Sequence, residues 1–247
     1  MRLFIVGLLL VVASDLSAQV QGKFPPDSLI NTKVIPKSTP VMDVVGTMRN
    51  FTSALGVRCQ FCHLGSEGQP LAEFDFASDQ KRNKLVARQM MRMLAEINQR
   101  LDTIPEKGHP AVTATCSTCH RGVSRPVPLS SLVQDYAVSV SADSAINAYK
   151  ILRARYYGRD AYEFSEPSLN IAAFRTARAG KPDEALKLLQ YNEGLFPNSS
   201  AMSVFKGNIL LMKADTAGAE AAFREAIRRD STNTEARGRL QAIGKKL

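Results

Sequence analysis

The chain has 247 residues, a length that admits one or two domains, and 45% of them are hydrophobic, enough for buried cores. Its 32 Lys and Arg against 23 Asp and Glu give a formal charge of +9, which divides as +4 over residues 1–140 and +5 over residues 141–247, with no basic tail. The absence of a basic cluster interleaved with aromatics excludes a nucleic-acid binder, and there is no Gly-rich nucleotide loop, no Ser-His-Asp order and no acidic metal cluster.

Met1-Arg2 is a short positive start, Leu3 to Ala13 an apolar run too short to span a bilayer, and Leu16-Ser17-Ala18 a cleavage-like site. Residues 1–18 therefore read as an export signal and the mature chain as periplasmic. The alternative is an uncleaved N-terminus, which, like a partner protein, would be a route to the membrane; no Cys follows the run to carry a lipid. Residues 19–38 are Pro-rich and irregular. Thr39 then reads as an N-cap, with Pro40 at the first helical position and Asp43 in the first turn of a helix that Gly56 ends near Leu55. Val41, Val44, Met48, Phe51 and Leu55 recur at helical spacing, which puts Met48 on the buried face.

Cys59-Gln-Phe-Cys62-His63 follows directly. The same pattern returns at Cys116-Ser-Thr-Cys119-His120, so the two copies use every cysteine and two of the three histidines. C-x-x-C-H is the attachment signature of c-type haem: two thiols reach the two vinyl groups of one porphyrin, and the adjacent His supplies a nitrogen to the iron. Zinc also uses paired C-x-x-C, but with about 12–20 residues between pairs. Here 53 residues lie between Cys62 and Cys116. A thioredoxin-like dithiol would need a βαβ context that the pattern lacks. Two covalent haem c groups are the reading, held by Cys59, Cys62, Cys116 and Cys119 with His63 and His120 as proximal iron ligands. Their four propionates would bring the first half of the chain to about neutral.

Between the motifs, a loop from Leu64 to about Ala77 leads to a second helix, capped by Ser78 or Asp79 and running to about Leu101. Val86, Met90, Met93, Ile97 and Leu101 form its apolar stripe, so Met90 is expected to face inward. A thioether in the sixth position gives a six-coordinate iron of raised potential suited to electron transfer, whereas an open position favours ligand or peroxide chemistry. Met48 and Met90 are the candidate distal ligands, and Met91 and Met93 compete with Met90. A loop through Pro105, Gly108 and Pro110 carries His109, a loop residue or a further axial ligand. Arg49, Arg58, Arg88 and Arg121 stand near the motifs as possible propionate partners or as plain surface charges.

Met48-x6-Leu55-Gly56-x2-Cys59-x2-Cys62-His63, then Val86-Ala87-Arg88-Gln89-Met90 with Ile97-Asn98, then Cys116-Ser-Thr-Cys119-His120-Arg121-Gly122, resembles the cytochrome c subunit of photosynthetic reaction centres over roughly residues 36–130. The resemblance implies helices that each lend a Met to a haem: Met48 to the haem at Cys59, Cys62 and His63, and Met90 to the haem at Cys116, Cys119 and His120. It departs from that family in having two haems where the family has four. A family His that ligates another haem of the set has its counterpart near His109, whose partner haem is then missing. A photosynthetic role does not carry over.

From Ser141 a helix places Ile146, Tyr149, Leu152 and Tyr156 on one side and stops near Gly158. Helices at Pro167–Ala179, from Pro182 to before Pro197, Ala201–Lys213 and Ala217–Arg229 follow, and Thr232-Asn-Thr-Glu235 opens a last one. A shift of 34 places Ala185 on Ala219, Leu189 on Phe223 and Pro197 on Ser231, the tetratricopeptide period, although the repeat's Trp is absent and two units are visible. Such hairpins imply a surface for a protein or peptide, or else a structural appendage.

The expected fold is thus all-α: a signal at 1–18, an irregular segment at 19–38, a dihaem cytochrome c domain at 39–130, a linker and packing helix at 131–165, and tetratricopeptide-like hairpins at 166–247. The expected function is electron transfer between redox partner proteins, not catalysis. The rivals are a dihaem peroxidase, for which His109 and Glu96 are the distal acid/base candidates, and a haem-based redox sensor that signals through the repeats.

Overall fold

A computed structural model describes residues 22–105 and 112–246. The export signal and His109 lie outside the described residues. The secondary structure is helical apart from one isolated bridge between Leu64 and Asp75, as the all-α expectation requires. No described helix is long and apolar enough to cross a membrane. The described chain groups into two compact units, one holding the residues through Thr52 together with Val57–Ala114, the other Ser53–Gly56 with Thr115 onward.

The first unit is built on α1 (Val41–Leu55) and α2 (Arg82–Asp102), with single 3-10 turns at Cys59–Phe61 and Leu71–Glu73 between them. Helix α1 starts just beyond Pro40 and carries Asp43 in its first turn, where a carboxylate suits the helix dipole. Helix α2 starts later than its sequence suggests. Lys81, not Ser78 or Asp79, occupies the cap position, because the Asp79 carboxylate is drawn into ion pairs with Arg88 at 2.9 Å and Lys84 at 3.3 Å.

Protein atoms bury almost nothing in this part of the chain. Among the described residues before Leu129, the buried hydrophobic side chains are Ala54, Phe74 and Val123, and α2 has no buried residue along its 21 positions. The α1 stripe of Val41, Val44, Met48, Phe51 and Leu55 is half-buried. The inward orientation expected for Met90 is corrected: Val86, Met90, Met93 and Ile97 lie between 36% and 47% exposed. The periodicity that aligns them is real, but the described residues leave the face they form partly open.

The second unit has the opposite character. After α3 (Cys116–His120) come α4 (Leu129–Ser139) and α5 (Ala142–Tyr156), then the hairpins α6 (Glu166–Arg178) with α7 (Pro182–Leu195) and α8 (Ser200–Met212) with α9 (Thr216–Arg229), closed by α10 (Thr234–Ala242). The span expected to hold one packing helix therefore contains two, α4 and α5. Leu129, Val133 and Ala137 of α4 join Tyr149, Leu169, Leu188 and Ile209 in one core cluster, and Phe223 and Leu240 anchor a second.

The 34-residue period is visible in the hydrogen bonds. Lys181 N–H reaches the Thr176 carbonyl at 3.2 Å and Asp215 N–H the Leu210 carbonyl at 2.9 Å, closing α6 and α8 in the same way one period apart. Ala185 and Ala219 are fully buried at equivalent places, as the shift predicted, and Leu189 and Phe223 follow them inside. Phe223 fits because α8 presents Gly207 to it: a β-carbon there would collide with the aromatic ring.

Candidate haem sites

The first motif sits on the turn that follows α1. Cys62 and His63 N–H groups both reach back to the Cys59 carbonyl, at 3.2 and 3.0 Å, and this single turn gathers both thiols and the imidazole. Clamps from the start of α2 fix the turn from outside. Lys81 Nζ donates to the Gln60 carbonyl at 3.0 Å and Asn83 Nδ2 to the Phe61 carbonyl at 3.1 Å. The His63 ring meets the Phe76 ring edge-on at 4.9 Å, while its Nδ1 is buried with no hydrogen-bond partner. Burial, reinforced by the Lys84 ammonium, holds the His63 imidazole below its ordinary range, so it stands neutral, the form that binds a metal. An open cavity of about 300 Å³ adjoins the motif, lined by Val57, Cys59, Gln60, Leu71 and Phe74 among others.

The second motif is a helix of its own. Thr115 and Thr118 form a reciprocal capping box across its start, so the two variable residues of the motif include one that stabilises the turn. His120 Nδ1 lies 2.9 Å from the Val123 carbonyl. A carbonyl partner makes Nδ1 the protonated nitrogen and leaves Nε2 with its lone pair free for a metal. Arg121 turns the chain with a positive φ of 47° and Gly122 with 87°. Gly122 N–H then donates to the Ala54 carbonyl at 2.8 Å, and a β-carbon on Gly56 would strike the Gly122 carbonyl, which confines both positions to glycine-like backbones.

All four cysteines are free thiols, and neither C-x-x-C pair is closed as a disulfide. Burial pushes the Cys62 and Cys116 thiols up, with Cys59 adding to the effect on Cys62. Among the described residues no group of three or more His, Cys, Asp or Glu is placed to hold a metal ion. Met48 is half-buried on α1 and Met90 is exposed on α2. Arg88 is engaged with Asp79 and with the Asn31 carbonyl at 2.9 Å, and Arg58 faces Glu67 at 3.5 Å on the surface. Sequence reasoning passed over Lys81, Asn83, Lys84 and the Thr115–Thr118 pair. Of these only the Thr pair, three residues apart at a helix start, leaves a local trace in the sequence.

The residues fit a haem at each motif. Each supplies two unpaired thiols on one turn beside a histidine with a nitrogen available: Nδ1 of His63 is buried and unpaired, and Nε2 of His120 is freed by the Val123 contact. Residues 68–150 match the family described as photosynthetic reaction centre cytochrome C subunit. The chain resembles that subunit. A curated relative, the photosynthetic reaction center cytochrome c subunit of Rubrivivax gelatinosus, is 28% identical over 137 residues, covering 47% of this chain and 36% of the relative. The chain thus spans little more than a third of that relative's length. The family match takes in α2, the second motif, α4 and most of α5, and begins after the first motif. No solved structure matches the chain.

Proposed function

We propose that this chain is an exported dihaem c-type cytochrome that passes electrons between redox partner proteins, with its C-terminal hairpins serving as tetratricopeptide-like docking surface. One observation carries the reading. Among the described residues around both C-x-x-C-H motifs the buried hydrophobic side chains are Ala54, Phe74 and Val123, while α2 shows solvent a stripe of Val86, Met90, Met93 and Ile97. A stretch of this length with so little protein core needs a large apolar body to pack on, and two porphyrins are bodies of that kind.

Haem iron supplies a one-electron couple. The chain's own residues do the rest. Cys59, Cys62, Cys116 and Cys119 would hold the porphyrins, and His63, His120, Met48 and Met90 would supply the nitrogen and sulfur ligands to the irons. The exposure of Met90 agrees with a side chain whose partner is not protein. The resemblance to a cytochrome subunit of reaction centres supports electron carriage, and the 34-residue hairpins support protein contact.

The mass of the mature protein from a cytochrome-maturing host tests the core of the proposal. Removal of residues 1–18 and a gain of two haems are expected; a colourless product without a pyridine haemochrome would refute it. Met48→Leu and Met90→Leu should each abolish the sulfur-to-iron charge-transfer band of one oxidised haem. Retention of both bands in both variants would remove these residues as ligands.

A further inference from the structure

Lys84 and Arg88 stand four residues apart on one face of α2, with side chains only 12% and 13% exposed. That is deep for two residues that normally stay in water. Lys84 Nζ donates to three consecutive carbonyls, Phe76 at 2.8 Å, Ala77 at 3.0 Å and Ser78 at 2.8 Å. Arg88 donates to the Asn31 carbonyl at 2.9 Å and pairs with Asp79 at 2.9 Å, and Lys84 lies 3.3 Å from the same carboxylate. Two cations therefore share one anion. Asp79 is 39% exposed although its paired Oδ1 is buried, and the acids of the preceding loop, Glu67, Glu73 and Asp75, are exposed, so water screens these acids more than the two cations. Phe76, whose carbonyl Lys84 holds, lays its ring against His63 at 4.9 Å. The cluster thus places a desolvated, incompletely neutralised pair of cations one side chain away from the first motif's imidazole.

We propose that Lys84 and Arg88 raise the reduction potential of the haem at Cys59, Cys62 and His63, holding it above that of the haem at Cys116, Cys119 and His120. The inference rests on the dihaem reading and goes beyond it. Reduction adds one electron from a donor and changes no bond or proton, and the oxidised iron carries one more positive charge than the reduced. A fixed neighbouring cation disfavours the oxidised state, and the effect is strong where water is scarce. Among the described residues the cations nearest the second motif in sequence, Arg121 and Arg125, are exposed. There Nδ1 of His120 meets the neutral Val123 carbonyl, a contact that makes the imidazole a stronger base and favours oxidised iron. The charge at the first motif therefore favours its reduced iron, and an electron shared between the haems rests on the first.

The test is a spectroelectrochemical titration of the full, haem-loaded protein, resolving two one-electron midpoints. Lys84→Met should lower one midpoint by roughly tenfold in the reduction equilibrium, about 59 mV for a one-electron couple, and leave the other in place. Lys84→Arg should keep the parent value, and Asp79→Asn should raise the same midpoint. Opposite shifts from two changes in one cluster cannot come from loosening the loop. Shifts of the same sign in Lys84→Met and Asp79→Asn, a change in Lys84→Arg as large as in Lys84→Met, or both midpoints moving together would overturn the proposal. Mass spectrometry of the same samples separates the two levels: a chain lacking haem at the first motif would overturn the dihaem reading itself, and this inference with it.

Discussion

Replacing Cys59, Cys62, Cys116 and Cys119 together by Ala should leave a chain that folds in its C-terminal hairpins and not in α1 and α2. Among the described residues of the first unit the buried apolar side chain is Phe74, whose full burial contributes about 1.5–3 kcal/mol. Ordering the backbone of a single residue costs about 1–2 kcal/mol, and α1 alone has 15 residues and α2 has 21. The hairpin region, by contrast, buries Leu169, Leu188, Ile209 and Phe223 completely along with a series of alanines. Amide hydrogen exchange followed by mass spectrometry reads both regions in one sample. In the cysteine-free chain, α2 should exchange within about tenfold of an unstructured peptide while α6–α9 stay protected by at least about 10³-fold. In the haem-loaded parent, α2 should be slow. Protected α2 amides in the cysteine-free chain would show that the protein supplies its own core there, and the argument for haem from missing burial would fail.

Gly207→Ala should destabilise by about 1–2 kcal/mol, because overpacking against the Phe223 ring outweighs a gain in helix propensity of about 1 kcal/mol; Gly194→Ala, where a β-carbon meets nothing, should have the opposite sign. Urea unfolding at unchanged slope checks both. Ala214 carries a left-handed φ of 60° at the place where the preceding repeat has Gly180, so Ala214→Gly should raise the urea midpoint by about 0.5–1 kcal/mol of stability, and a lower midpoint would count against the repeat alignment. Hydrogen bonds and charge from Arg228 and Arg229 pull Glu225 from 4.5 to about 2. A depressed carboxyl contributes stability that is fully present above its ordinary range and lost as pH falls toward its folded value. Acid unfolding of the hairpins should therefore steepen between about pH 4.5 and 2, and Glu225→Gln should flatten that limb. A carboxyl carbon resonance of Glu225 titrating near its ordinary value would contradict the ion-pair geometry.

Features with a local cause were legible in the sequence. The two C-x-x-C-H patterns, the glycine stops at Gly56 and Gly180, and the Ala185–Ala219 equivalence are each written in a few adjacent residues or in one period, and the structure gives the two glycines positive φ and buries both alanines as expected. Features with a distant cause were not. Asp79 has the form of a helix cap, yet Arg88 and Lys84 claim its carboxylate, and no capping rule weighs a partner nine residues on. Periodicity groups Val86, Met90, Met93 and Ile97 on one face but says nothing of what covers that face, so inward was inferred where exposed is found. Helix α4 did leave a signal, Leu129, Val133 and Ala137 at steps of four after Pro128, that was passed over beside the stronger repeat pattern that follows.

The two motifs are secured by different kinds of bond, and the difference follows from where each sits. Around Cys116, beside the longer reaches of Gly122 N–H to the Ala54 carbonyl and of Asn98 on α2 to Ala114, two holding contacts are local: Thr115 with Thr118, and His120 with Val123, both three residues apart. Such contacts survive whenever the turn itself forms, and a capping box stabilises it by about 1 kcal/mol. Around Cys59 the contacts are long-range, with Lys81 on Gln60, Asn83 on Phe61 and Lys84 on Phe76 to Ser78, and every one of those donors stands at or within the first turn of α2 or its cap. They exist only while α2 is ordered. Because α2 sets Lys84 and Arg88 deep but leaves its apolar stripe of Val86, Met90, Met93 and Ile97 exposed, the geometry that presents Cys59, Cys62 and His63 depends on a helix with little apolar packing among the described residues. The first motif and its cluster of charges therefore depend more on whatever covers the Met90 stripe, whereas the second keeps two local bonds that do not need α2.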